Sequence, residues 1–229
     1  SSGGEAAEAP LVIPRMEAPP VIDGTIAAAE WAGLAEQTLV RLKDGAAPAQ
    51  TTRVRVGYDE TALYIAFRCK EASAEAIRSR VTLMEERDNP GIFSEDTVEI
   101  MLDPLATGAG TVYHAGVNPA GVWYDARQRS ITWDASLRAA IGTDDGGWTA
   151  EIALPFADLP YIPRGGERLY LNLTRQNAPG RELSALKAGD GSWLDAANLV
   201  PAIFDGPPRA AGVNVGGLRL GDKGALSVV

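Results

Sequence analysis

One histidine, His114, and one cysteine, Cys69, are all the imidazole and thiol that the 229-residue chain holds. A zinc centre of His and Cys ligands needs several such groups, so that chemistry is excluded. Neither residue sits in a motif that supplies Ser-His-Asp or Cys-His catalysis, and a single cysteine forms no intrachain disulfide. No G-x-x-x-x-G-K-[ST] loop and no strand-linked G-x-G-x-x-G is present, which argues against nucleotide binding. Carboxylates are plentiful, with 30 Asp and Glu against 21 Lys and Arg for a net charge of -9. Two acids at the right separation hydrolyse glycosides, yet no spacing nominates a pair. Because the cations are scattered, the chain repels a phosphate backbone, and neither nucleic acid nor an anionic membrane is an expected partner.

Three placements still invite a ligand. His114 alternates with Gly116 and Asn118, on the strand face opposite Tyr113, Ala115 and Val117; it either points into a cleft or serves as a satisfied hydrogen-bonding residue. Glu99 shares a face with Thr97 and Met101. Trp123 and Tyr124 point to opposite faces of one strand, one towards the core and the other towards surface or cleft. Arg87 and Asp88 belong to a polar loop and read as solvated charge.

The elements that must carry these side chains are strands. Arg53 to Tyr58 and Ala62 to Arg68 alternate around Asp59-Glu60 and predict a hairpin. Further alternating runs are Asp96 to Leu102, Tyr113 to Asn118, Val122 to Arg127, Trp148 to Leu154 and Leu169 to Arg175, set off by turns such as Pro119-Ala120-Gly121 and Arg164-Gly165-Gly166. Helix is scarce: Glu30 to Leu34, Ser73 to Arg80 and Pro155 to Leu159 each suit no more than a short turn. The segment from Asn177 to Gly212, rich in Gly and Pro, reads as long irregular loops. Apolar residues make up 45% of the chain, enough for a sizeable core. Many short strands with regular turns predict an all-β fold, a two-sheet antiparallel sandwich. Residues 1–9 read as a linker or an expression scar, and 10–229 as one domain. No stretch approaches the ~18 apolar residues of a membrane-spanning helix.

In order along the chain, Pro20-Val21-Ile22-Asp23-Gly24 with Trp31, Val54 to Glu60, Leu63 to Phe67, Phe93 to Pro104, Val117 to Gly121 and Gly146 to Phe156 form one series. Any one of them is weak; the series resembles the family 9 carbohydrate-binding modules, whose fold is a jelly-roll-like sandwich. The resemblance implies a non-catalytic module that grips a polysaccharide or its chain ends between two aromatic faces, here Phe93, where the family often has Trp, and Trp193. It also implies that Glu99 and Arg175, the latter in Asn172-Leu173-Thr174-Arg175, either meet sugar hydroxyls or pair with each other. Asp190, three residues before Trp193, either accepts a sugar hydroxyl or forms a turn.

By the same resemblance, no cofactor is required, and structural calcium is an option for the oxygen-rich Asp59-Glu60, Asp103 and Asp144-Asp145. The expected partners are a carbohydrate and an attached or partner glycoside-active enzyme, in a secreted, periplasmic or cell-surface setting. Two other readings remain. A related sandwich group binds haem b, and Met84 or Met101 with His114 would supply such an axial pair; or the domain is a structural or docking unit without sugar affinity.

Overall fold

The computed structural model describes residues 9–77, 79–108, 111–144, 146–160, 164–190, 195–207, 219–220 and 226–227. Its strands are β1 (Leu11–Ile13), β2 (Gln37–Thr38), β3 (Val40–Arg41), β4 (Thr52–Tyr58), β5 (Ala62–Lys70), β6 (Thr97–Asp103), β7 (Tyr113–Val117), β8 (Trp123–Arg127), β9 (Arg138–Asp144), β10 (Gly147–Pro155), β11 (Arg168–Asn177), β12 (Glu182–Ala185), β13 (Val200–Phe204), β14 (Arg219–Leu220) and β15 (Leu226–Ser227). They form a larger sheet in the order β1-β13-β11-β6-β7-β8, with β12 and then β3 joined to the far half of β11, and a smaller sheet β2-β4-β5-β10-β9. β14 pairs with β15. Pairing is antiparallel except between β1 and β13, which run parallel.

Alternation explains both sheets. Val54, Val56, Ile65, Phe67, Ala150 and Ile152 point inward from the smaller sheet and meet Val98, Ile100, Leu102, Val117, Leu171 and Leu173 from the larger. Each such side chain stabilises the sandwich by roughly 1.5–3 kcal/mol through burial. Cys69 lies in this core, and burial pushes its thiol up to about 12, which makes it a packing residue rather than a reactive one.

A second cluster seals the outer face of the smaller sheet, where Trp31 packs with Met16, Ala62, Tyr64, Ala66 and Ala153. Glu151, fully buried on this face, accepts from Trp31 Nε1 at 2.8 Å and from the backbone N–H groups of Asp23 and Gly24 at 3.2 and 2.9 Å. The Asp23-Gly24 and Gly-Trp-x-x-Glu motifs thus form one structural clasp.

The segment expected to be irregular from 177 to 212 contains β12 and β13. Their main-chain groups pair with β11, which supplies the order that Pro201 and the neighbouring glycines hide in the sequence. The three expected helical turns shorten to a turn near 28–33 and to the 3-10 turns Ala74–Ala76 and Phe156–Asp158. β9 was not anticipated, because Arg-Ala-Ala-Ile-Gly-Thr-Asp does not alternate in polarity.

Candidate carbohydrate site

The outer face of the larger sheet is polar yet covered. Register places Glu99 opposite Gly116 and Thr174, Met101 opposite His114, and Gly116 opposite Tyr124. Above these strands lie Val81, Ile92 and Phe93, packed on Val122, Tyr124 and Ala126, and Leu199, packed on Met101 and Val112. Every residue of β6 is buried as a result.

Phe93 belongs to the 3-10 turn Pro90–Ser94, whose Asn89 cap accepts from Gly91 N–H at 2.8 Å. The turn is tied down from below. Glu95 accepts from Val81 N–H at 2.9 Å and from Asn118 Nδ2 at 3.3 Å, while Gln176 Nε2 donates to the carbonyls of Phe93 and Glu95. Phe93 stacks on His114 with centroids 5.2 Å apart and planes at 21°, and meets Tyr124 edge-on at 4.9 Å. Gly116 makes the approach possible: a Cβ there would lie 3.1 Å from the Phe93 ring and 3.4 Å from Glu99 Cγ. His114 Nε2 lies 2.7 Å from Glu99 Oε2, and among the described residues Glu99 Oε1 has the Thr97 hydroxyl alone, at 3.5 Å. The buried carboxylate therefore retains acceptor capacity.

Phe93, Glu99 and His114 are thus brought together, and the sequence reading missed Tyr124, Gly116 and Gln176 as their companions. Arg175 is a correction. It is one residue from Thr174, so the pleat turns it to the opposite face, where it is fully buried and bonded to Glu71, to Thr52 Oγ1 at 3.2 Å and to the Lys70 carbonyl at 2.9 Å. It neither pairs with Glu99 nor faces the aromatic cluster. Asp190 is exposed and borders a separate cavity of about 470 Å3 with Arg41, Lys43 and Leu183. Its carbonyl accepts from Asn198 Nδ2 at 2.8 Å. Trp193 lies outside the described residues.

The haem pairing does not fit these residues. His114 and Met101 are cross-strand neighbours, but His114 Nε2 faces Glu99, its ring is stacked on Phe93, and Met101 is fully buried against Val112 and Leu199. Met84 stands on a separate turn and borders a different groove. The calcium option finds no donor set either. Asp59 is occupied by Thr61, Ala62 and Tyr64, Asp103 by Thr107 and Gly108, and Asp144 by Arg68 at 2.6 Å. Asp145 lies outside the described residues, and among those described no three acidic, His or Cys groups converge on a metal position.

The loop that carries the aromatic turn is anchored by a buried carboxyl group. Asp125, fully buried on β8, accepts from Arg87 at 3.0 Å and from Ala135 N–H. Burial, with the Asp88 carboxylate nearby, pushes its carboxyl from the usual 3.8 up to about 6. A carboxyl whose folded pKa is raised contributes stability below its unfolded pKa and loses it as pH rises through the folded value. Measured against D125N, the wild-type melting temperature should therefore fall as pH rises from about 4 to about 7. A difference that stays flat across that window would refute this assignment.

Residues 22–181 match the family model described as carbohydrate family 9 binding domain-like. Among curated proteins, no sequence matches this chain. Among solved structures, a family 9 carbohydrate-binding module from Caldicellulosiruptor kristjanssonii in complex with cellotriose is 17% identical, with a TM-score of 0.68 and coverage of 90% of this chain and 98% of that one. A family 9 module from the same organism in complex with glucose is 17% identical, with a TM-score of 0.65 and coverage of 89% and 99%. At that identity these structures speak for the fold. The family model adds what the fold alone does not, since it spans both signature regions, from Ile22-Asp23-Gly24 through Gly147-Trp148 to β11: the chain belongs to the carbohydrate family 9 binding domain-like family.

Proposed function

We propose that this chain is a non-catalytic carbohydrate-binding module whose ligand sits over the Phe93, His114 and Tyr124 cluster on the outer face of the larger sheet. The observation that carries the reading is the half-buried Phe93 ring, held over His114 and Glu99 by a turn that Gln176, Glu95 and Asn118 fix in place. Sugar C–H groups pack on aromatic faces, and the fully buried Glu99 holds the His114 ring in place beneath Phe93 through its 2.7 Å contact. Trp193 is the second aromatic of the proposed grip, as the family resemblance implies. Neighbours of the same fold hold cellotriose and glucose, so β-1,4-glucan oligosaccharides are the first ligands to try. In this reading the module directs an attached or partner glycoside-active enzyme to polysaccharide, outside the cytoplasm.

Calorimetric titration with cello-oligosaccharides tests the site. Affinity should drop roughly tenfold or more in F93A and in W193A, with thermal melts run alongside to confirm that each variant is folded. Unchanged affinity in both variants would move the site elsewhere; no binding across a broad glycan set would leave a docking role.

A further inference from the structure

The smaller sheet ends in β9, with β10 on one side and, among the described residues, no strand on the other. Other sheet edges are short or closed. β1 and β2 are three and two residues long. On β8, the Trp123 carbonyl accepts from Asp88 N–H at 3.2 Å, Asp125 N–H donates to the Asp88 carboxylate at 3.1 Å, and Arg127 N–H donates to the Ser130 carbonyl at 3.0 Å. β9 spans seven residues; Gly24 packs over the Ile141 carbonyl from the outer face, but among the described residues no main-chain group bonds the strand's open side.

Its main-chain directions follow from the hairpin. Asp144 pairs with Gly147 across a two-residue connection, and such a hairpin closes on a hydrogen-bonded pair. Alternation then commits Arg138, Ala140, Gly142 and Asp144 to β10 and turns the N–H and C=O groups of Ala139, Ile141 and Thr143 outward. No turn or loop among the described residues bonds these three. The strand also lacks the proline, lysine or bulge with which natural edges resist pairing. Beside it runs a groove of about 760 Å3 lined by Met84, Pro119, Gly121, Trp123, Ala139 and Ile141.

We propose that β9 is a self-association edge, at which two copies of this chain pair antiparallel about a twofold axis through Ile141. The strand is self-complementary in that register. Arg138 lies opposite the second copy's Asp144, Ala139 opposite its Thr143, and Ile141 opposite its own equivalent. At both ends the cation meets an anion that also holds Arg68 of its own copy at 2.6 Å, in the symmetric manner an isologous contact requires. The outward groups of Ala139, Ile141 and Thr143 are the ones that bond across the join, and the smaller sheet becomes continuous through both copies. The two grooves border this join on the same side of the merged sheet. Neither groove nor edge involves the Phe93 face, so two sugar sites per dimer would give avidity on a polymer.

Sedimentation equilibrium of the intact chain, over a range of concentrations, reads the association directly. The wild type should pass from monomer to dimer mass as concentration rises. Hydrogen exchange at Ala139, Ile141 and Thr143 should slow over the same range. R138E sets like charges opposite each other at both ends and should raise the dimer dissociation constant roughly tenfold or more. T143P removes an outward donor while leaving the ladder to β10 intact and should abolish the dimer, with circular dichroism confirming the fold. A wild type that keeps monomer mass throughout, or a dimer that both variants leave unchanged, overturns the proposal.

Discussion

Replacing Arg175 with methionine should destabilise the fold by about 3–5 kcal/mol and leave carbohydrate affinity, measured well below the melting temperature, where it was. Arg175 is fully buried at the end of β11, between the sheets. Its Nη2 is paired with Glu71, and Asp96 lies 3.9 Å away. Nη1 reaches Thr52 Oγ1 and the Lys70 carbonyl on the smaller sheet. The guanidinium is thus a staple between sheets as well as the counter-charge of two buried carboxylates. Methionine fills much of the space but removes the cation to which Glu71 is bonded, and breaking one side of a buried pair is what makes such losses large. Burial already raises the Glu71 carboxyl, and Arg175 is what opposes that rise. Without it, Glu71 should protonate at still higher pH, so the deficit of R175M should be greatest near neutrality and shrink as the solution becomes acidic. R175M/E71Q should recover part of the loss, because the double variant removes both charges. Chemical denaturation at pH 7 and at pH 5 checks both statements. Equal deficits at the two pH values, or lost sugar affinity with an intact fold, would contradict this placement.

The misplacement of Arg175 shows where sequence reasoning stops. The alternating runs that became β4 to β8, β10 and β11 were legible because the core needs one apolar face per strand, and the period-2 pattern records it. The same rule, applied further along β11, would have put Arg175 on the inner face with Leu171 and Leu173. A charge at the end of an alternating run reads as outward unless its partners are visible, and Glu71 is more than a hundred residues away. Phe93 and Glu99 were expected at the site through the family resemblance, and His114 through its place on the polar face of its own strand; that the three touch is set by the β6–β7 register and the Pro90–Ser94 turn. Tyr124 was left between core and cleft, since nothing in Trp123-Tyr124 tells which ring faces inward. β12 and β13 were hidden because their order comes from pairing with β11 rather than from their own residues. β9 was hidden because an edge strand with Ala-Ala-Ile-Gly carries little polarity contrast.

Glu151→Ala should be of similar severity to R175M, and it acts on the opposite face of the smaller sheet. The carboxylate is fully buried and collects the Trp31 indole N–H and two backbone N–H groups. Truncation leaves two buried donors unpaired, the Trp31 indole N–H and the Gly24 N–H. At about 1–3 kcal/mol for each unsatisfied group, the expected loss is about 2–6 kcal/mol. E151Q keeps an acceptor of the same shape but points an amide N–H at donors, so it should recover only part of that loss. The clasp also seats Gly24 against β9: a Cβ at Gly24 would lie 2.6 Å from the Ile141 carbonyl carbon, and Thr149 Oγ1 donates to the Gly24 carbonyl at 2.6 Å. Loss of Glu151 should therefore free the 23–25 segment first. Proteolysis should cut near Asp23 in E151A under conditions where the wild type is intact, and the amides of β9 should exchange faster than those of β6. If E151A instead unfolds in a single step, with all amides exchanging together, the clasp is part of the global core and not a separable support for the β9 edge.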